Sequence, residues 1–149
     1  MIENYFMEAA IQQAKKAKVL GEVPVGCIIV DKKNQILSSG FNSVIAQSDP
    51  TAHAEINAIR KACKQIETDR LSECSIYITL EPCIMCASAI SRAKIKRLYY
   101  GAEDSKYGAI NGSFNFFQTQ NCNHIPEIYD NFSKLRCEEL ISSFFKEHR

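Results

Sequence analysis

The sequence predicts an α/β domain with helices on both faces of a mixed sheet. Segments of helical periodicity alternate with short β-branched segments, in the order helix, hairpin, helix, strand, helix, strand, irregular tail, helix. Residues 75–100 read strand, helix, strand, which implies a right-handed crossover and a parallel pair. Residues 23–42 read as a hairpin, so the same sheet must also hold an antiparallel pair.

The elements follow in order. Phe6, Ala10, Ala14 and Ala17 recur at helical spacing within a helix over residues 3–20, and Gly21 is its stop signal. Val23 to Val30 is rich in β-branched residues, Asp31-Lys32-Lys33-Asn34 is a polar turn, and Gln35 to Asn42 returns as the second strand. Ser48-Asp49-Pro50-Thr51 is a helix-start cluster for a helix from Ala52 to about Lys64. Ser75 to Leu80 is a short buried strand. Pro82 stands where proline opens a helix, predicting one from Cys83 to Ser91. Arg97 to Tyr100 is the next strand, and residues 101–125, rich in Gly, Asn and Ser, read as a loop with a short helix. A last helix covers about 133–147, with Cys137, Leu140, Ile141, Phe144 and Phe145 on one face.

A length of 149 residues suits a single domain, 1–149, with one core. The net charge of +1 excludes a bulk basic field, so any nucleic-acid contact must be local. No apolar run reaches the ~20 residues of a membrane span. Met1 to Ala10 holds two glutamates and no basic residue, unlike a signal peptide, so the expected location is cytoplasmic. Seven cysteines cannot all pair within the chain, and in a reducing compartment paired cysteines are more often ligands than bridges. Cys27, Cys63, Cys74, Cys122 and Cys137 stand alone and read as small core residues.

Cys83 and Cys86 differ. Three apart, they share a helical face in a first turn, where exposed N–H groups and the dipole favour thiolates. With His53 they form a Cys, Cys, His set that leaves the fourth position of a tetrahedral zinc open, the mark of a catalytic metal. A fourth cysteine from Cys27, Cys63 or Cys74 would instead close the site and make zinc structural. Glu55, two residues after His53, points about 200° away on a regular helix, so the pair can serve one metal only from the helix end. Glu55 then borders the metal without binding it. The pattern H-A-E, a strand, then P-C-x-x-C is the signature of zinc-dependent base deamination, with the glutamate carrying protons.

The flanks narrow this reading. Glu22-Val23-Pro24-Val25-Gly26, Asn42, Asp49 to Ile56 (DPTAHAEI), Thr79 to Ala87 (TLEPCIMCA), Gly101-Ala102, Asp104, Lys106, Asn123-His124 and Phe144-Phe145 together resemble the bacterial tRNA-specific adenosine deaminases of the TadA type, in the cytidine deaminase-like superfamily. The resemblance runs from about residue 6 to 147. It implies a three-layer α/β/α cytidine deaminase-like fold with a central mixed five-stranded sheet, one zinc per chain and a homodimer. It implies hydrolysis of the wobble adenosine of a tRNA anticodon to inosine and ammonia. Asn42 would hydrogen-bond the base, Asp104 and Lys106 would meet the RNA, and Asp104 could accept from a 2′-OH. Of the adjacent pair, one of Phe144 and Phe145 would pack while the other stacks on a nucleotide, with Lys146, His148 and Arg149 adding charge nearby.

Three departures stand out. Residues 108–113 carry one residue more than the usual form, Ile125 replaces a residue often basic, and Asn131 stands where glycine is expected, a change that asparagine's tolerance of the left-handed region makes mild. The basic run Arg92, Lys94, Lys96, Arg97 reads equally as an RNA patch and as a complement to a helix C-terminus. A free-base or nucleoside deaminase would use the same zinc set. A noncatalytic zinc-stabilised RNA-binding subunit would be expected to lack Glu55.

Overall fold

The computed structural model describes residues 1–148 and opens on α1 (Ile2–Val19). Phe6, Met7, Ala10, Ile11, Ala14 and Ala17 are its buried residues, a stripe at three- and four-residue spacing that faces the sheet. β1 (Gly26–Val30) and β2 (Ile36–Phe41) form the hairpin, with an irregularity in register between Ile29 and Val30. A four-residue helix, α2 (Val44–Gln47), precedes α3 (Ala54–Ile66). Then come β3 (Ser75–Leu80), α4 (Ile84–Arg92), β4 (Arg97–Ala102), a single 3-10 turn at Phe116–Gln118, β5 (Glu127–Tyr129) and α5 (Lys134–Glu147).

The sheet order is β2-β1-β3-β4-β5. β1 pairs antiparallel with β2 and β3, and β3, β4 and β5 run parallel. The mixed five-stranded sheet of the expected fold is therefore present. Strand alternation separates the two cores. Ile76, Ile78, Leu98 and Tyr100 face α3 and α4, whereas Tyr77 and Tyr99 face α1 and α5. On that second face Tyr77, Tyr99 and Tyr129 stack across three neighbouring strands, with centroids 4.3 and 4.9 Å apart. They occupy matched register positions, so the stack pins the pairing of the short edge strand β5.

Several boundaries differ from the sequence reading, each for a local reason. α3 begins at Ala54 rather than Ala52, because Asp49 Oδ1 accepts from Thr51 N–H at 2.8 Å and holds a turn there. α4 begins at Ile84, so Pro82 precedes the capping residue instead of opening the helix. α2 has no sequence signal of its own: the buried carboxylate of Glu22 accepts from Ile45 and Ala46 N–H at 3.1 and 2.7 Å and caps it from outside. Asn131 does adopt the left-handed region, at φ 64°. Cys27, Cys74 and Cys137 are buried, while Cys63 and Cys122 are partly buried against the core. Among the described residues no helix is long and apolar enough to cross a membrane.

Gly40 matters for the site. A Cβ there would meet the carbonyl of Ala54 and the N–H of Ala58. Its absence lets the start of α3 settle directly on β2, which brings His53 and Glu55 down to the sheet.

Candidate active site

Two helix N-termini converge beyond the end of β3. His53 is the N-cap of α3, in extended conformation at φ −71° and ψ 156°. Cys83 caps α4 in the same way, at φ −73° and ψ 175°, with Cys86 in the first turn. Neither cap bonds its own helix through its side chain, so both are free to turn toward one point. His53 Nδ1 lies 3.6 Å from Cys83 Sγ and 3.6 Å from Cys86 Sγ. All three ligating atoms fall within 4.8 Å of one another. A tetrahedral zinc with Zn–S near 2.3 Å and Zn–N near 2.05 Å sets sulfur and nitrogen roughly 3.6 Å apart, so the donor set fits that ion in both chemistry and spacing.

The electrostatics agree. The Cys83 thiol is held down at about 4, first by the neighbouring Cys86 thiol and then by the His53 imidazole 3.6 Å away. Cys86 is pushed the other way, chiefly by the Cys83 sulfur and then by burial. Zinc binding requires both thiols deprotonated, and a dication between them would favour that state. His53 is raised, above all by its hydrogen bond with Cys83. Cys27, Cys63 and Cys74 do not join the group, so among the described residues the ligand set stops at three. Three protein ligands leave a coordination position open for a reactant.

Glu55 is 4% exposed, in the first turn of α3. Burial is the main force pushing its carboxyl up to about 7, and the Cys83 sulfur adds to it. His53 outside the helix and Glu55 just inside it reach one site from the helix end, as the spacing required.

A cleft of about 860 Å³ opens over these residues. His53, Glu55 and Cys83 line it together with Asn42, Asp104, Lys106, Tyr107 and Phe145. Asn42 Nδ2 donates to Val23 O at 3.3 Å, which fixes the amide's orientation. Its Oδ1 is the one buried side-chain oxygen or nitrogen among the described residues that lacks a partner. An orphaned acceptor costs about 1–3 kcal/mol, which a donor on a bound ligand would recover.

Residues 1–102 match the family model for the cytidine and deoxycytidylate deaminase zinc-binding region. The tRNA-specific adenosine deaminase of Haemophilus influenzae is 46% identical over 147 residues, covering 99% of this chain and 85% of that protein. The one from Rickettsia bellii is 44% identical over 96% of this chain and 99% of its own. The chain belongs to the tRNA-specific adenosine deaminase family. A solved structure from a study of A-to-I editing by tRNA:A34 deaminases at the wobble position of transfer RNA superposes with a TM-score of 0.89, at 41% identity, over 91% of this chain and 98% of that one. Guanine deaminase from Nitrosomonas europaea, 16% identical over 95% of this chain and 83% of its own, superposes at 0.82, a likeness of fold alone.

Outside the metal group, the residues expected from the resemblance to tRNA-specific adenosine deaminases divide. Phe144 is 5% exposed, whereas Phe145 is 49% exposed and lines the cleft. Phe144 packs edge-on against Phe145 and stacks on His148, so of the adjacent pair Phe144 is the ring that packs and Phe145 the one left accessible. Phe145→Ala is expected to raise KM for RNA with little change in melting temperature. Phe144→Ala is expected to cost about 3 kcal/mol of stability, read by denaturant unfolding. Arg149 lies outside the described residues.

Asp104 and Lys106 both line the cleft. Asp104 Oδ1 accepts from Lys106 and Tyr107 N–H at 3.1 and 3.0 Å, so that oxygen shapes its own turn. The Lys106 ammonium sits 5.0 Å over the Tyr107 ring. The basic run is elsewhere. Arg92 ends α4, about 13 Å along that helix from Cys83, and Arg97 pairs with Glu127 at 3.7 Å. None of Arg92, Lys94, Lys96 and Arg97 lines the cleft, which favours the helix-end reading.

Three supporting residues escaped the sequence reading. Glu22 caps α2. Asn57 Nδ2 donates to Phe41 O and Ser43 Oγ at 2.9 Å each, tying the chain beside Asn42 to α3. Glu81 anchors the loop after β4. The one available signal was an acidic residue between an apolar strand and Pro82, and sequence does not reveal that it is buried.

Proposed function

We propose that this chain is a zinc-dependent hydrolase that converts adenosine to inosine at the wobble position of a tRNA anticodon, releasing ammonia, in a single deaminase domain. The observation that carries the reading is a buried Glu55 beside a three-donor metal group with an open position, at the base of a cleft.

His53, Cys83 and Cys86 would hold one zinc per chain. When bound, zinc supplies a Lewis acid that lets water act as a nucleophile near neutral pH. Glu55 accepts the proton of the attacking water and delivers it to the adenine ring nitrogen as C6 becomes tetrahedral. The carboxylate then takes the remaining proton of the added hydroxyl, as C6–O becomes a carbonyl, and passes it to the departing amino group, so one residue serves as base and acid in turn. Water and adenosine thereby balance as inosine and ammonia. Asn42 Oδ1 accepts a hydrogen bond from the bound nucleoside. Lys106 neutralises phosphate, Asp104 accepts from a ribose hydroxyl, and Phe145 stacks on a base flanking the reacting one, with Phe144 as its buried support. The enzyme works in the cytoplasm as a homodimer and edits RNA in tRNA processing. Light scattering of the purified protein at twice the chain mass would bear out the dimer.

The experiment is mass spectrometry of an anticodon stem-loop after incubation with the zinc-loaded protein, beside free adenosine, guanine and cytosine. Inosine in the stem-loop is the expected product. Turnover of a free base with none on the stem-loop would replace this reading with that of a free-base deaminase.

A further inference from the structure

We propose that Glu81 is a positioning residue that sets RNA affinity by holding the loop that carries Asp104, Lys106 and Tyr107 into the cleft. The inference rests on the reading that this cleft receives an anticodon stem-loop.

Glu81 directly follows β3 and is 2% exposed. Its own N–H donates to Ala102 O at 2.8 Å, which fixes its backbone to the end of β4. Its carboxylate is the centre of the following loop. Oε2 accepts from the N–H groups of Ile110, Asn111 and Gly112 at 2.9, 2.8 and 2.9 Å. Oε1 accepts from Asp104 N–H at 3.1 Å. Three consecutive amides converging on one oxygen form an anion-binding nest, here filled by the protein's own side chain.

Gly108 closes the loop from the other side. Its N–H donates to Asp104 O at 2.9 Å, and a Cβ on it would collide with both that carbonyl and the Glu81 carboxylate. Both Glu81 oxygens are therefore occupied by backbone amides. Proton transfer belongs to Glu55, and Glu81 acts through the residues it places. Leaving this buried acid unpartnered would be costly, so the loop is held in one conformation before RNA arrives.

Glu81→Gln separates the two halves of the contact. A Gln carbonyl in place of Oε2 keeps the three-amide nest, while its NH2 faces Asp104 N–H, donor against donor. In the zinc-loaded variant the metal content should stay at the wild-type level. KM for the stem-loop should rise roughly tenfold with kcat within about twofold, the pattern of lost binding rather than lost chemistry. Lys106→Ala should raise KM in the wild type but add little in the Glu81→Gln background, because both changes remove the same placement. Hydrogen exchange should show the Asp104 amide losing protection in the variant, a readout that needs no activity. An unchanged KM, a loss confined to kcat, fully multiplicative effects with Lys106→Ala, or unchanged Asp104 protection would each overturn the proposal. If Glu81→Gln does not fold, Gly108→Ala loads the same contact from outside and should raise KM, and a wild-type KM there would overturn it too. Absence of inosine with the wild-type protein would sink the functional reading while leaving the exchange result intact.

Discussion

Glu55→Gln is expected to abolish turnover while leaving zinc content, RNA affinity and melting temperature near wild type. Gln has the shape of Glu and can still hydrogen-bond at this position, but it cannot take up a proton. The reaction needs a group that accepts from water and later donates to ammonia's nitrogen, and Glu55 is the buried carboxyl beside the metal group. Its environment suits both tasks, since burial pushes the carboxyl up to about 7. Proton transfer by a positioned side chain contributes ~10²–10⁴-fold, and here two transfers pass through one residue, so kcat should fall at least ~10³-fold. Single-turnover inosine formation on the stem-loop measures it, with metal analysis and RNA titration alongside. Turnover near the wild-type rate would remove Glu55 from the mechanism.

Cys83→Ala is expected to remove zinc and activity together and to lower the melting temperature. The three donors sit on three residues from two helix starts, with His53 Nδ1 at 3.6 Å from each sulfur. Taking one sulfur away leaves two ligands, and Cys83 is the thiol that the site holds down at about 4. A ligand bound only by the folded state stabilises it by about 2.7 kcal/mol when present at a hundred times its Kd, and that contribution disappears with the metal. Elemental analysis should show about one zinc per chain in the wild type and close to none in the variant, consistent with three-ligand zinc chemistry. Chelator-treated wild type should melt close to Cys83→Ala. Cys63→Ser, outside the ligand group, is the control and should keep its metal. Full zinc and activity in Cys83→Ala would sink the assignment.

Much of the site was legible along the chain because metal chemistry restricts both residue types and spacing. Cys and His donors, an acid two residues from the His and a proline beside the first Cys are rare in combination. The angular argument that His53 and Glu55 cannot share a helix face led to their helix-end approach, and the structure has that arrangement. Elements with strong periodicity, such as α1 and α5, were equally legible. α2 and β5 were not read from the residues. They are four and three residues long, and their order comes from the Glu22 carboxylate and from the Tyr77, Tyr99 and Tyr129 stack. Cross-chain contacts of that kind leave no periodic trace.

The Cys83–Cys86 and His53–Glu55 spacings and the α/β order could be read from sequence alone, because each depends on residues within one segment. Only the tertiary structure decided which of Phe144 and Phe145 can be reached, that the basic run after α4 stays out of the cleft, and that the acid before Pro82 is buried at the centre of a loop. Those outcomes depend on which segments pack together across long separations. A Glu on paper is a charge in water, and only four backbone amides from residues 104–112 turn Glu81 into a fixed point of the fold.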